Sequence, residues 1–286
     1  MTRANIIFDK LEKPDQADLS RPLTIFEQIR ENNLVRKALV VVVILLVWEM
    51  MSRLANVPLI LPSVPDTLEA LRAAAIDGSP PLFEHLAETM QALGAGFLSG
   101  AGIAMILTII AINSRIGQDF LETIVGAFAP LPAVAVFPIA LMVFGISMKT
   151  AIFIAGFAAV FPVALGTFAG FRGVSQTLRD VGHNIGLSGI SFVVRILVPA
   201  ALPSILTGLR NGWSNGLRAL LAVEFVIGAA SGGVGGLGWM VLSAKQDLNT
   251  PMVYAGIMAI MIIGLSFELL FGAIEKTTVR KWGMLK

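Results

Sequence analysis

Six apolar stretches, separated by short polar or proline-bearing intervals, set the pattern of this chain: about residues 38–51, 86–112, 120–144, 150–171, 204–228 and 252–274. Crossing ~30 Å of hydrocarbon takes roughly 20 apolar helical residues, which each stretch supplies once its flanks are included. The pattern predicts an all-α membrane protein with six transmembrane helices. Before the first stretch, residues 22–37 place Ile25, Phe26 and Ile29 on one side of a helix, with Glu27, Arg30 and Glu31 elsewhere. That is the pattern of an amphipathic helix lying at the membrane interface. The first apolar core begins near Ala38 and lacks a small-residue cleavage site, which does not fit a signal peptide. Pro58, Pro62 and Pro65 then break the chain, and Asp66 is expected to cap a short helix running to Ile76.

Two residue types interrupt the apolar pattern from within. Glycines at spacing four (Gly96/Gly100, Gly166/Gly170 and Gly208/Gly212/Gly216) provide small faces for close helix approach. Pro130, Pro132 and Pro138 in the third stretch free backbone carbonyls that bare hydrocarbon does not tolerate. A kinked helix beside protein or a water-filled pathway is expected there.

Basic residues orient the spans. With the N-terminus inside, fifteen Lys and Arg fall on inner segments, and only Arg53, Arg72, Lys149 and Lys245 lie outside. Residues 1–37 and the 276–286 tail are thus expected in the cytoplasm, with a membrane-spanning body over 38–275. The same count puts the polar interruption at about 172–200 inside the cell.

Composition excludes several function classes. The chain is 56% apolar and only 14% charged, against about 25% charged in soluble proteins. Without cysteine it has no disulfide, thiolate metal site or thiol nucleophile. Its basic residues are too dispersed for nucleic acid. Gly233, Gly235 and Gly238 match G-x-G-x-x-G, but no βαβ unit surrounds them, so the segment reads as a flexible outer loop packed closely on neighbouring backbone. No G-x-x-x-x-G-K-[ST] and no catalytic or metal-binding cluster occurs. Energy for any transport must come from another subunit.

The fifth stretch carries the candidate chemistry. Asn211, Ser214, Asn215 and Arg218 share an arc, and Glu224 stands about two turns beyond Arg218. An intramembrane charge usually faces a cavity or a partner. Arg218 either lines a pathway suited to a small anion or pairs with a carboxylate such as Glu224. Arg210, nearer the inner end, is expected to snorkel. His183 is expected to be solvated in the inner loop, and His85 to lie near the outer surface.

The inner polar segment has its own pattern: Asp180-Val181-Gly182, then Gly186, with Ile196 and Pro199 beyond. It resembles the EAA loop of ABC importer permeases: E-A-A, three residues, Gly, nine residues, then I-x-L-P. Val198 stands where Leu is usual, and Val181 and Gly182 replace two small helix formers, so a looser first helix is expected. Leu61-Pro62-Ser63-Val64-Pro65, Pro130-Leu131-Pro132 through Phe144-Gly145-Ile146, and Pro199-Ala200-Ala201-Leu202-Pro203 with Gly208-Leu209-Arg210 resemble the nitrate/sulfonate/taurine/bicarbonate subfamily. So does Glu224 ahead of the glycine-rich loop.

The resemblance implies a type I ABC importer transmembrane domain in a bacterial inner membrane. It implies a second copy of the chain, two cytoplasmic ATPases that bind ATP and Mg, and an extracytoplasmic solute-binding protein. Asp180, Val181, Gly182, Gly186, Ile196 and Pro199 would couple to the ATPase. Asn211, Ser214, Asn215, Arg218 and Glu224 would line the path of a small anion. The rivals are an ion-coupled secondary transporter, an ABC permease for a non-anionic vitamin precursor, and an intramembrane enzyme. The first normally shows internal repeats, which are not evident here.

Overall fold

A computed structural model describes residues 33–78, 80–228 and 234–280. Among them every regular element is helical. The chain divides into two compact units after Asn56. The first contains α1 (Asn33–Ala55), most of whose apolar side chains from Leu39 to Leu54 are exposed, as suits a helix in lipid, while Leu45, Trp48 and Ser52 form a less exposed face. Near its end Arg53 donates to Glu49 at 2.7 Å, so that acid is paired one turn from its partner. The expected interfacial helix over 22–37 lies outside the described residues up to 32, and 33–37 form the first turns of α1.

The second unit holds α2 (Val64–Ile76), α3 (Leu82–Ala111), α4 (Arg115–Phe128), α5 (Phe137–Phe144), α6 (Met148–Arg172), α7 (Gln176–Asn184), α8 (Gly189–Phe192), α9 (Val198–Ile227), α10 (Leu237–Gln246) and α11 (Thr250–Glu275). Four of these are long and apolar enough to span a membrane: α3, α6, the continuous run from Gly189 to Ile227, and α11. With α1 that makes five, or six if a bent pair counts as one span.

The bent pair corrects the third expected span. It is not one kinked helix but α4 and the segment Ala133–Phe144, set at 89°. The cause is local: Pro132 caps a 3-10 turn at Ala133–Val136, and Pro138 sits in the first turn of α5. A proline supplies no amide hydrogen and drives the preceding residue out of the helical region, so Pro130 and Pro132 end α4. Elsewhere proline is absorbed: Pro162 lies inside α6 and Pro203 inside α9. The short helix at Val64 is capped by the Ser63 hydroxyl, which accepts from the Asp66 amide at 3.2 Å, rather than by Asp66. Of the glycine-rich segment expected as an outer loop, 234–236 are irregular, and Leu237 and Gly238 open the helix α10.

Small residues set how closely the spans approach. A Cβ on Gly100 would fall 2.4 Å from the Gly156 carbonyl oxygen, and one on Gly96 2.6 Å from that of Ile152, so α3 meets α6 backbone to backbone. A Cβ on Gly166 would lie 2.6 Å from the Gly208 Cα, and Gly212 closes the same seam against Val163. The opposite side of α6 is thus joined to α9. Around these seams Leu93, Ile154, Leu220 and Val223 are fully buried. Trp213 is edge-on to Phe97 at 5.2 Å and stacked on Phe267 at 3.9 Å, linking α3, α9 and α11.

Gly166→Leu should abolish the α6–α9 seam and sharply lower both the yield and the Tm of detergent-solubilised protein. Gly94 and Gly102, with no atom within 4 Å of an added Cβ, should accept Ala at no cost or with a gain of about 0.5–1 kcal/mol from helix propensity. A thermal-shift comparison of the three variants checks both.

Candidate translocation site and coupling segment

The break between α4 and α5 leaves a cavity of about 610 Å³ between Ala129–Val134, α6 and α9. One wall is apolar: Pro130, Pro132, Phe157, Phe161 and Leu165. The other is a polar stripe on α9, where Asn211, Asn215 and Arg218 follow at i, i+4 and i+7 on one helical face. Phe157 and Phe161 pack edge to face at 5.1 Å, and Phe161 stacks on Phe128 at 6.0 Å.

Of the five predicted pathway residues, the fold brings three to this cavity. Ser214 is half-buried beside it, and its carbonyl accepts from Arg218 Nε at 3.0 Å. That bond ties Arg218 to its own helix at the cavity lining. Among the described residues no carboxylate lies within ion-pair distance of Arg218. The alternative of an Arg218–Glu224 pair is therefore not realised.

Glu224 is buried elsewhere, at 7% exposure. Its carboxylate accepts from the Thr89 hydroxyl and from the Gly238 amide, each at 2.8 Å, and the same Thr89 oxygen accepts from the Leu237 amide at 2.8 Å. His85, expected near the outer surface, is buried beside this network and donates from Nδ1 to the Gly235 carbonyl. Arg210 reaches acids on α11. Its Nε donates to Glu268 of α11 at 2.7 Å, and Glu275 approaches at 4.0 Å. Glu268 was overlooked in the sequence, although an acid within an apolar stretch is itself a signal for a buried partner. Thr89 gives no such signal, since an isolated threonine is ordinary in a membrane helix.

The polar segment between α6 and α9 folds into α7, a tight turn, and α8. Ser175 caps α7 by accepting from the Leu178 amide at 3.4 Å, and Gln176 donates to Asp180 at 2.8 Å along the helix. Gly186, at φ +80°, ends it: its amide bonds the His183 carbonyl at 2.9 Å, and the Leu187 amide bonds the Gly182 carbonyl at 3.0 Å. These are the paired bonds of a Schellman cap, which requires the left-handed conformation glycine adopts without strain.

Gly182 has a separate reason to be glycine. A Cβ there would lie 2.8 Å from the Phe192 ring and 3.1 Å from Ile196. His183, exposed as expected, also stacks on Phe192, at 4.5 Å. With the altered E-A-A, α7 is a regular helix over Gln176–Asn184, and Gly182 lets it close on Phe192 and Ile196. Val181 points away, exposed, and Pro199 occupies the first turn of α9, where no amide hydrogen is needed. Just before it, Val193–Leu197 form a π-turn.

Residues 96–280 match the family described as the binding-protein-dependent transport system inner membrane component. The chain belongs to this family. It is a permease subunit of an ABC importer, a multi-pass protein of the inner membrane. Among curated relatives, the taurine transport system permease protein TauC of Escherichia coli is 34% identical over 246 residues, covering 82% of this chain and 85% of that protein. A putative aliphatic sulfonates transport permease of Bacillus subtilis is 30% identical, covering 78% of each chain. The nitrate import permease protein NrtB of Synechocystis is 27% identical, covering 80% of this permease and 85% of its own length.

Replacing Arg210 with Met should lower the Tm of the purified permease by leaving Glu268 without its cation, and Arg210→Met with Glu268→Leu should recover part of that loss. Thermal unfolding of the two variants beside the parent protein measures the difference.

Proposed function

We propose that this permease imports a small oxyanion of the sulfonate, taurine, nitrate or bicarbonate class, delivered from outside by a solute-binding protein. The observation that carries the reading is the cavity-facing Arg218, held by a backbone carbonyl, unpaired with any described carboxylate and followed on one face by Asn215 and Asn211. A guanidinium that has no counter-ion within a membrane protein is costly unless an anion visits it. The two amides offer further donors along the same line. The names of the taurine, sulfonate and nitrate relatives agree with this chemistry.

The working unit in this reading is two copies of the chain with two cytoplasmic ATPases, which bind the ATP and Mg that this chain has no motif to hold. The termini are cytoplasmic, as the basic residues suggest. Helix α7 is the docking element: Leu178, Val181 and Ile185 stand exposed at i, i+3 and i+7, an apolar stripe suited to a groove on the motor. Closure of the motors moves α7, and through Phe192 and Ile196 the cytoplasmic end of α9, so that the cavity opens alternately to the two sides. The solute biases this switch only as far as it binds the two states differently.

A second reading has an observation of its own. The Phe157, Phe161 and proline wall would also suit a flat, uncharged ring, the shape of a vitamin precursor. In proteoliposomes holding the permease, its ATPase and its binding protein, Arg218→Ala should reduce uptake of an anionic substrate about 10- to 100-fold, the value of a charge-assisted hydrogen bond, with assembly intact. Unchanged uptake removes Arg218 from the path and favours the neutral solute. Gly186→Val forces a β-branched residue into the left-handed region, at a cost of about 1–2 kcal/mol. It should reduce co-purification of the ATPase while the permease still inserts; full retention overturns the docking role of α7.

A further inference from the structure

A helix normally fastens its own first turn, through an N-cap side chain that accepts from the free amides there. Helix α10 does not. Its N-cap is Gly236, with no side chain, and the two amides that follow are satisfied by other elements: Leu237 by the Thr89 hydroxyl of α3, Gly238 by the Glu224 carboxylate of α9. Thr89 in turn donates to Glu224, so one relay serves both amides. The glycines are needed for this approach. A Cβ on Gly236 would fall 2.1 Å from a Glu224 carboxylate oxygen, and one on Gly238 would fall 2.6 Å from the Leu221 carbonyl oxygen.

This arrangement has a consequence that self-capping lacks. Because the cap comes from α3 and α9, it exists only while α10 is docked, and undocking breaks its bonds together. The anion also faces the positive end of the α10 dipole, which favours it only in the docked position. A buried carboxylate left without these donors is penalised strongly. The contact is therefore closed or open, with little stable ground between.

We propose that Glu224 is a positioning residue: with Thr89 it forms a releasable latch that holds α10 against α3 and α9 at the outer end of the span carrying Arg218. The side assignment rests on the orientation proposed above. Release of α10 uncovers the faces it buries, among them Val241, which packs against Gly256 of α11.

The chain contains no cysteine, so a single introduced thiol reports without background. The full chain carrying Val241→Cys, in intact cells, is treated with a membrane-impermeant maleimide, and inside-out vesicles give the opposite side. Combining it with Glu224→Gln, which removes the charge and one of the two acceptor oxygens, should speed labelling about tenfold, the effect of one lost charge-assisted bond. Thr89→Val, which keeps the shape and removes the hydroxyl, should do the same, and Thr89→Ser should restore protection. A second thiol, Ala140→Cys, buried at 1% in α5, should stay protected throughout, which separates local release from unfolding. Unaltered Val241→Cys labelling in both the Gln and Val variants, a Ser variant that behaves like Val, or simultaneous exposure at position 140 overturns the latch. Labelling from the vesicle side alone instead overturns the orientation, and with it the placement of the latch outside.

Discussion

The contact on which the rest of this permease depends is the glycine-lined face that α6 offers on both sides. Hydrocarbon gives no hydrophobic reward for bringing two helices together, so association relies on close packing and on polar contacts. At Gly96, Gly100 and Gly156 the α3 and α6 backbones touch, and at Gly166, Gly208 and Gly212 those of α6 and α9 do. With α3, α6 and α9 locked in this way, the polar stripe on α9 is held in a fixed position opposite Phe157 and Phe161. The cavity is what remains where the α4–α5 break withdraws its backbone from that assembly.

Polar groups then divide the length of α9 into three tasks. Toward its N-terminal end Arg210 is bound to Glu268, joining α9 to α11. In the middle Arg218 is supported only by its own helix and faces open space. At the far end Glu224 is spent on α3 and α10. Three ionisable residues on one helix thus have three separate roles, decided by what happens to stand opposite each. The proline-rich break is as consequential as any of them, since a straight third span would fill the cavity.

The polar segment between α6 and α9 shows how a departure from a familiar motif can be compensated. Losing two small helix formers ahead of Gly186 weakens α7 by propensity. The Ser175 cap, the Gln176–Asp180 bond and the Schellman turn offset that loss, and Gly182 exchanges propensity for contact with Phe192. The α7 helix is accordingly tied to the start of α9 through one aromatic ring, and a push on one is felt by the other.

Hydropathy by itself determined that the chain is a helical membrane protein, roughly where its spans run, and that the polar segment around Asp180 is separate from them. These are properties of composition and local period; most span boundaries shifted by only a few residues, while the third span split and the fifth runs back to Gly189. Glycine spacing likewise foretold the seams, because backbone approach demands a missing side chain whatever the partner. What tertiary structure alone decided was pairing. Nothing in the order of residues said that Arg210 would meet Glu268, that Arg218 would have no carboxylate partner among the described residues, or that Glu224 would cap a helix beginning thirteen residues later with help from Thr89 on another span. Such partners come from distant parts of the chain, and the packing of the spans brings them within reach. The same holds for the 89° break: prolines mark where a helix must end, but only the surrounding helices determine where the chain goes next.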